Sequence, residues 1–137
     1  EKIKKKGAEI IEIKEFNKIG ENVFSTGEFE YSTKEHSLVL ETKNGLVVIT
    51  GCAHPGILNI LKRVEENFSK NIFLVLGGFH LDQKSQINLE KIIKEFKKKK
   101  IKKVGPSHCS GDRARRLFEK RYKNNYIKNG AGKIVKL

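Results

Sequence analysis

The sequence predicts one α/β domain built on a mostly parallel sheet with helices on one face. Three observations predict it. From residue 46 onward, short β-rich runs alternate with stretches of helical periodicity, the pattern of strand–helix–strand crossovers. An Asn44-Gly45 pair between two β-rich runs marks an antiparallel hairpin just ahead of them. The 137 residues suffice for a single core, since a chain near this size buries roughly two-thirds of its unfolded surface.

In chain order, residues 8–16 alternate imperfectly and read as an opening strand, followed by a glycine-containing loop and a short extended piece at 22–25. Residues 37–43 and 46–51 form the hairpin, with Asn44 and Gly45 supplying the two positive-φ positions of a type I′ turn. Pro55 suits the first turn of a helix, and Ile57, Ile60, Leu61, Val64 and Phe68 follow at helical spacing. A continuous apolar strand spans 72–76. Leu89, Ile92, Ile93 and Phe96 stripe a second helix over 85–99, and a strand at 101–104 follows it. Ser110 reads as the cap of a third helix that places Ala114, Leu117, Phe118 and Tyr122 on one face. Gly130 leads to a last strand at 133–137.

Hydrophobic residues make up 37% of the chain and charged residues 33%, grouped as in a folded protein rather than a disordered one. No apolar stretch reaches the length needed to span a bilayer and no secretory pattern follows the lysine-rich start, so the expected location is cytoplasmic. Cys52 and Cys109 are too few for a disulfide framework. The formal charge of +13 favours anions and makes nucleic acid a conceivable partner, but the lysine run at 97–100 has no interleaved aromatics on which bases would stack. A solvated face explains it better.

Ligands of parallel sheets bind beyond the carboxyl ends of the strands. His54, His80 and His108 each follow one such end, and the hairpin returns His36 to the same rim near Ala53 and His54. The only two aspartates, Asp82 and Asp112, lie in the loops of His80 and His108. Imidazoles and carboxylates on converging loops are the materials of Zn²⁺, Fe or Mn²⁺ sites. His36 is read as a neighbour rather than a ligand. Cys52 and Cys109 are candidate ligands or small packing residues, two readings the residues leave open.

Three segments then carry a resemblance: Thr50-Gly51-Cys52-Ala53-His54-Pro55-Gly56-Ile57, Leu76-Gly77-Gly78-Phe79-His80-Leu81 and Pro106-Ser107-His108-Cys109-Ser110-Gly111. In this order they resemble the C-terminal motifs of the metallo-β-lactamase superfamily. They are most similar to metal-dependent hydrolases related to the dihydropterin–ribofuranosylaminobenzene phosphate synthase. The resemblance covers nearly the whole chain. It implies half of an αββα sandwich, a single half-domain over 1–137, with His54 and His108 as metal ligands. His80 occupies a loop where many relatives carry a bridging aspartate. Zn²⁺ is the expected ion, with Fe, Mn²⁺ or Mg²⁺ as alternatives.

The family's principal motif, His-x-His-x-Asp-His, occurs nowhere in this sequence. The expectation is therefore a C-terminal portion whose apolar strands, at 46–49 and 72–76, need cover on a second face. A separately encoded N-terminal half, a second copy of the chain or a longer parent protein of which this is a piece would provide it. The expected chemistry is hydrolysis of an ester or phosphoester, with little activity from this chain alone. Ser110, Gly111 and Arg113, at the start of the third helix, are candidates for holding a substrate phosphate, beside the plainer cap reading. A basic phosphate- or RNA-binding module and a non-catalytic fragment are the alternative functions.

Overall fold

The structure, a computed structural model, describes residues 4–137. Six strands form one mixed sheet in sequence order: β1 (Asn17–Gly20), β2 (Val23–Ser25), β3 (Leu38–Thr42), β4 (Gly45–Thr50), β5 (Ile72–Gly78) and β6 (Lys103–Ser107). The first four pair antiparallel, and β4, β5 and β6 pair parallel. Helices α1 (Ile57–Asn67), α2 (Gln86–Lys98) and α3 (Asp112–Tyr122) follow β4, β5 and β6. No helix among the described residues is long and apolar enough to cross a membrane.

All three helices pack on the same side of the sheet. Ile57, Ile60, Leu61 and Val64 of α1, Leu89, Ile93 and Phe96 of α2, and Ala114, Phe118 and Tyr122 of α3 share one core with Val39, Leu46, Val48, Ile72, Val75 and Val104. Strand alternation explains the list with one exception. Leu46 pairs with Ile72 but Val47 pairs with Leu74, so a bulge absorbs Phe73 and lets both Ile72 and Val75 face the helices. Val47 and Leu74 then point to the opposite face, where they are nonetheless fully buried. Around them Leu40, Ile49 and Leu76 are half-buried and Leu38 is exposed.

The structure corrects five expectations. Residues 8–16 form no strand; Glu28 N donates to Lys14 O at 2.8 Å, and Phe16 joins Phe24 and Phe68 in an aromatic cluster, while the edge strand is β1. The hairpin turn is Lys43-Asn44, not Asn44-Gly45, because Thr42 pairs with Gly45. Neither turn residue has positive φ, so the turn is not type I′; Gly45 takes φ 122° at the first position of β4. Pro55 lies ahead of α1, whose N-cap is Gly56. The third parallel strand begins two residues later than expected and runs to Ser107, carrying Pro106 on a sheet edge. Residues 133–137 are not a strand: the chain leaves β6's edge after a Val104–Tyr126 bridge and an Ile127 N to Val104 O bond of 2.7 Å.

Candidate metal centre

Three loops leave the carboxyl ends of the parallel strands, and each carries one non-glycine residue in the left-handed region. Ala53 has φ 62°, His80 φ 50° and His108 φ 48°. This conformation is disfavoured by roughly 1 kcal/mol or more per residue, and its repetition in the three loops of one rim marks a place where geometry outranks local preference.

The loops are tied to one another by the backbone. Gly78 N donates to Gly51 O at 2.9 Å, and Leu81 N to Cys109 O at 3.3 Å. Thr50 Oγ1 donates to Gly78 O at 2.7 Å. Phe79 N donates to Ser110 Oγ at 3.1 Å, and that hydroxyl donates to Ser107 O at 2.7 Å. Ser110 is fully buried and does not cap α3, whose N-cap is Gly111 with no side-chain cap bond. Its two bonds lock the loop of His108 to the loop of His80 and leave the hydroxyl closed to solvent.

Glu35 organises the first loop, and the sequence reading missed it. Its carboxylate accepts from Ala53 N at 2.7 Å and His54 N at 3.0 Å, and its Oε2 lies 2.6 Å from His54 Nδ1. With Nδ1 engaged by the carboxylate, Nε2 is the ring nitrogen left for a metal. A carboxylate behind a histidine in this way fixes the tautomer and ring orientation that metal ligation requires. The signal was available in the pairing register: the same fold-back that brings His36 to the rim brings Glu35 there too.

The histidines converge in part. The rings of His54 and His80 lie 4.7 Å apart between centroids. His108 joins a different set: its imidazole and the thiols of Cys52 and Cys109 offer donor atoms all within 4.8 Å of one another. Burial, with Cys109 and Glu35 nearby, holds the Cys52 thiol above its ordinary pKa, so it is protonated in the free chain. A cleft of about 420 Å³ lined by His80, Asp82, Gln83, Lys84 and Cys109 opens beside them. His36 stays apart as a structural partner of Ser25, with Nδ1 2.8 Å from Oγ. Asp112 pairs with Arg115 on its own helix, whereas Asp82 Oδ1 fills the space a side chain on Gly111 would need. Arg113 is exposed at the start of α3. Imidazole and thiol donors with a carboxylate behind one of them are a chemistry that suits a bound divalent ion.

No protein-family model matches the sequence. The chain is 34% identical over 103 residues to 7,8-dihydropterin-6-methyl-4-(beta-D-ribofuranosyl)-aminobenzene-5'-phosphate synthase of Methanocaldococcus jannaschii, a match covering 74% of this chain and 35% of that protein. It is 32% identical to the uncharacterized protein MJ0448 of the same organism, over 97% of this chain and 56% of that one. Its structure matches the crystal structure of Tm1679, a metal-dependent hydrolase of the β-lactamase superfamily, with a TM-score of 0.79 and 36% identity over 93% of this chain and 57% of that one. The chain thus spans between about a third and just over half the length of these relatives. By fold and by sequence the chain matches half of a β-lactamase-superfamily fold, a mixed six-stranded sheet with three helices.

Proposed function

We propose that this chain is the C-terminal portion of a metal-dependent hydrolase, in which His54, His108 and His80 contribute imidazoles to a metal centre that a second half completes. The Glu35 clamp carries the reading: it fixes His54 with Nε2 as the free donor at the rim where His80 and Cys109 line a cleft. Two packing partners at a buried position would explain a satisfied histidine, but His54 keeps 28% of its side chain exposed while its backbone and Nδ1 are both held. That is the arrangement of a presented ligand.

A divalent ion bound at this rim would supply a Lewis acid and an acidified water, lowering the water's pKa to about 7. The chain's own residues do the rest. Glu35 engages Nδ1 of His54, Ser110 and Thr50 hold the three loops in register, and Phe79 and Leu81 anchor the His80 loop in the core. The M. jannaschii relative is named as a phosphate synthase, which supports a phosphorylated substrate. Lys84 lines the cleft and is the cation beside it for a phosphate, with Arg113 exposed at the start of α3, whereas Ser110 is buried and the Asp82 carboxylate lies against Gly111.

A metal-supplemented phosphodiesterase assay tests the proposal, run on the chain alone and on the chain mixed with an N-terminal half bearing His-x-His-x-Asp-His. Turnover that requires both parts and disappears with His54→Ala supports it. Robust turnover by the chain alone as a monomer overturns the half-site reading.

A further inference from the structure

The thiols of Cys52 and Cys109 take no part in the hydrolytic reading, yet the fold goes to some length to bring them together. They sit on different loops, fifty-seven positions apart in sequence, with Cys109 Sγ 3.3 Å from Cys52 O. Both are free and half-buried. The backbone between them leaves no room for a side chain at residue 78, where a Cβ would stand 2.4 Å from Gly51 O, 2.8 Å from Cys109 Sγ and 3.1 Å from Cys52 Cα. His108, on the residue before Cys109, is exposed and held at a left-handed φ of 48°. The two sulfurs and one of its ring nitrogens lie within 4.8 Å of each other.

We propose that Cys52, Cys109 and His108 form a metal site complete within this chain, two thiolates and one imidazole, for a thiophilic divalent ion such as Zn²⁺. Tetrahedral bonds of about 2.3 Å to sulfur and about 2.05 Å to nitrogen require donors about 3.6–3.8 Å apart, so the set closes on an ion by moving each donor about 1 Å or less. Rotation of the thiol side chains provides that. Binding displaces one proton from each thiol into solvent, and the two thiolates balance the charge of the ion in a chain that otherwise carries +13. Soft sulfur donors select Zn²⁺ over Mg²⁺ or Mn²⁺, and the fourth position stays open to water or an outside ligand. His108 is common to both readings and serves one ion at a time, so the two sites are alternatives for that imidazole; the thiolate site depends on neither hydrolysis nor a second half.

The test is titration of the full chain with Co²⁺ under anaerobic, reducing conditions, read by absorption. A thiolate-to-cobalt charge-transfer band in the near ultraviolet, saturating at one equivalent with the intense visible bands of a tetrahedral ion, is expected. Cys52→Ser and Cys109→Ser should each remove most of that band and weaken binding by about tenfold or more, whereas His54→Ala combined with His80→Ala should preserve it. The wild-type spectrum alone decides the matter should a variant fold poorly. Cobalt bound without the near-ultraviolet band, or no cobalt bound, overturns the thiolate site; if that bandless cobalt is released by His54→Ala, the hydrolytic reading still stands. A band that survives both serine substitutions also overturns it. The band appearing as expected while the reconstituted halves show no turnover overturns only the hydrolytic reading.

Discussion

Glu35 is the residue on which the rim's geometry turns. Its carboxylate serves three donors and keeps only 12% of its surface exposed, so replacement leaves donors facing a donor. Glu35→Gln should cost about 1–3 kcal/mol of stability in denaturant unfolding and lower the metal-dependent turnover of the reconstituted halves about 10- to 100-fold. Unchanged turnover would show that Glu35 does not hold a metal-ligating His54. Gly78 is the second such residue. Gly78→Ala drives Cβ into a backbone oxygen that cannot rotate away, so about 2 kcal/mol or more of destabilisation is expected, together with loss of the cobalt–thiolate band. His54, His80 and His108 were legible from the sequence because each lies within a few residues of the end of a parallel strand. Glu35 was missed although the fold-back that brings His36 to the rim carries it too, because nothing in its own loop, 19 positions before His54, distinguishes it from the other glutamates.

At the level of elements, the rim rests on an aromatic wedge. Phe79 immediately precedes His80, and its ring packs with Phe96 of α2 and Phe118 of α3 at centroid distances of 5.7 and 5.6 Å, with Phe96 and Phe118 5.3 Å from each other. Both helices therefore press on the base of the His80 loop. Phe118→Ala should lose about 3–5 kcal/mol through lost burial and the cavity left behind, seen as a lower denaturant midpoint at unchanged slope. A loss below about 1 kcal/mol would mean that the wedge collapses freely and does not brace the loop. The helices were readable because their apolar stripes match the core that forms. The two end segments were misread for a physical reason. Residues 8–16 and 133–137 have β-like composition, but the first is held by Phe16 and by the Glu28–Lys14 bond, and the second follows a chain that has already left the edge of β6. Composition alone does not say whether a strand has an open edge to pair with.

For the whole molecule the open question is the second face of the sheet. The helices seal one face completely, while the other has fully buried Val47 and Leu74 at its centre and Leu38, Leu40, Ile49 and Leu76 around them. The pairings Leu38–Ile49–Leu76 and Leu40–Val47–Leu74 make these six side chains one contiguous apolar area across three strands. Val47 and Leu74 are already dry, but Leu38 is exposed and Leu40, Ile49 and Leu76 are half-buried, and such apolar surface is costly to leave wet at about 25 cal/mol per Å². The purified chain should therefore be a dimer or larger in light scattering at micromolar concentration. Ile49→Lys is the discriminating variant, since it charges this face without touching the helix-side core. It should shift the chain to monomer while leaving its far-ultraviolet circular dichroism intact. An N-terminal half that covers the same face should compete with self-association and dissociate the dimer as it binds. A wild-type chain that stays monomeric at high concentration, with Ile49→Lys indistinguishable from it, would show that this face needs no partner and that the sheet is finished as it stands.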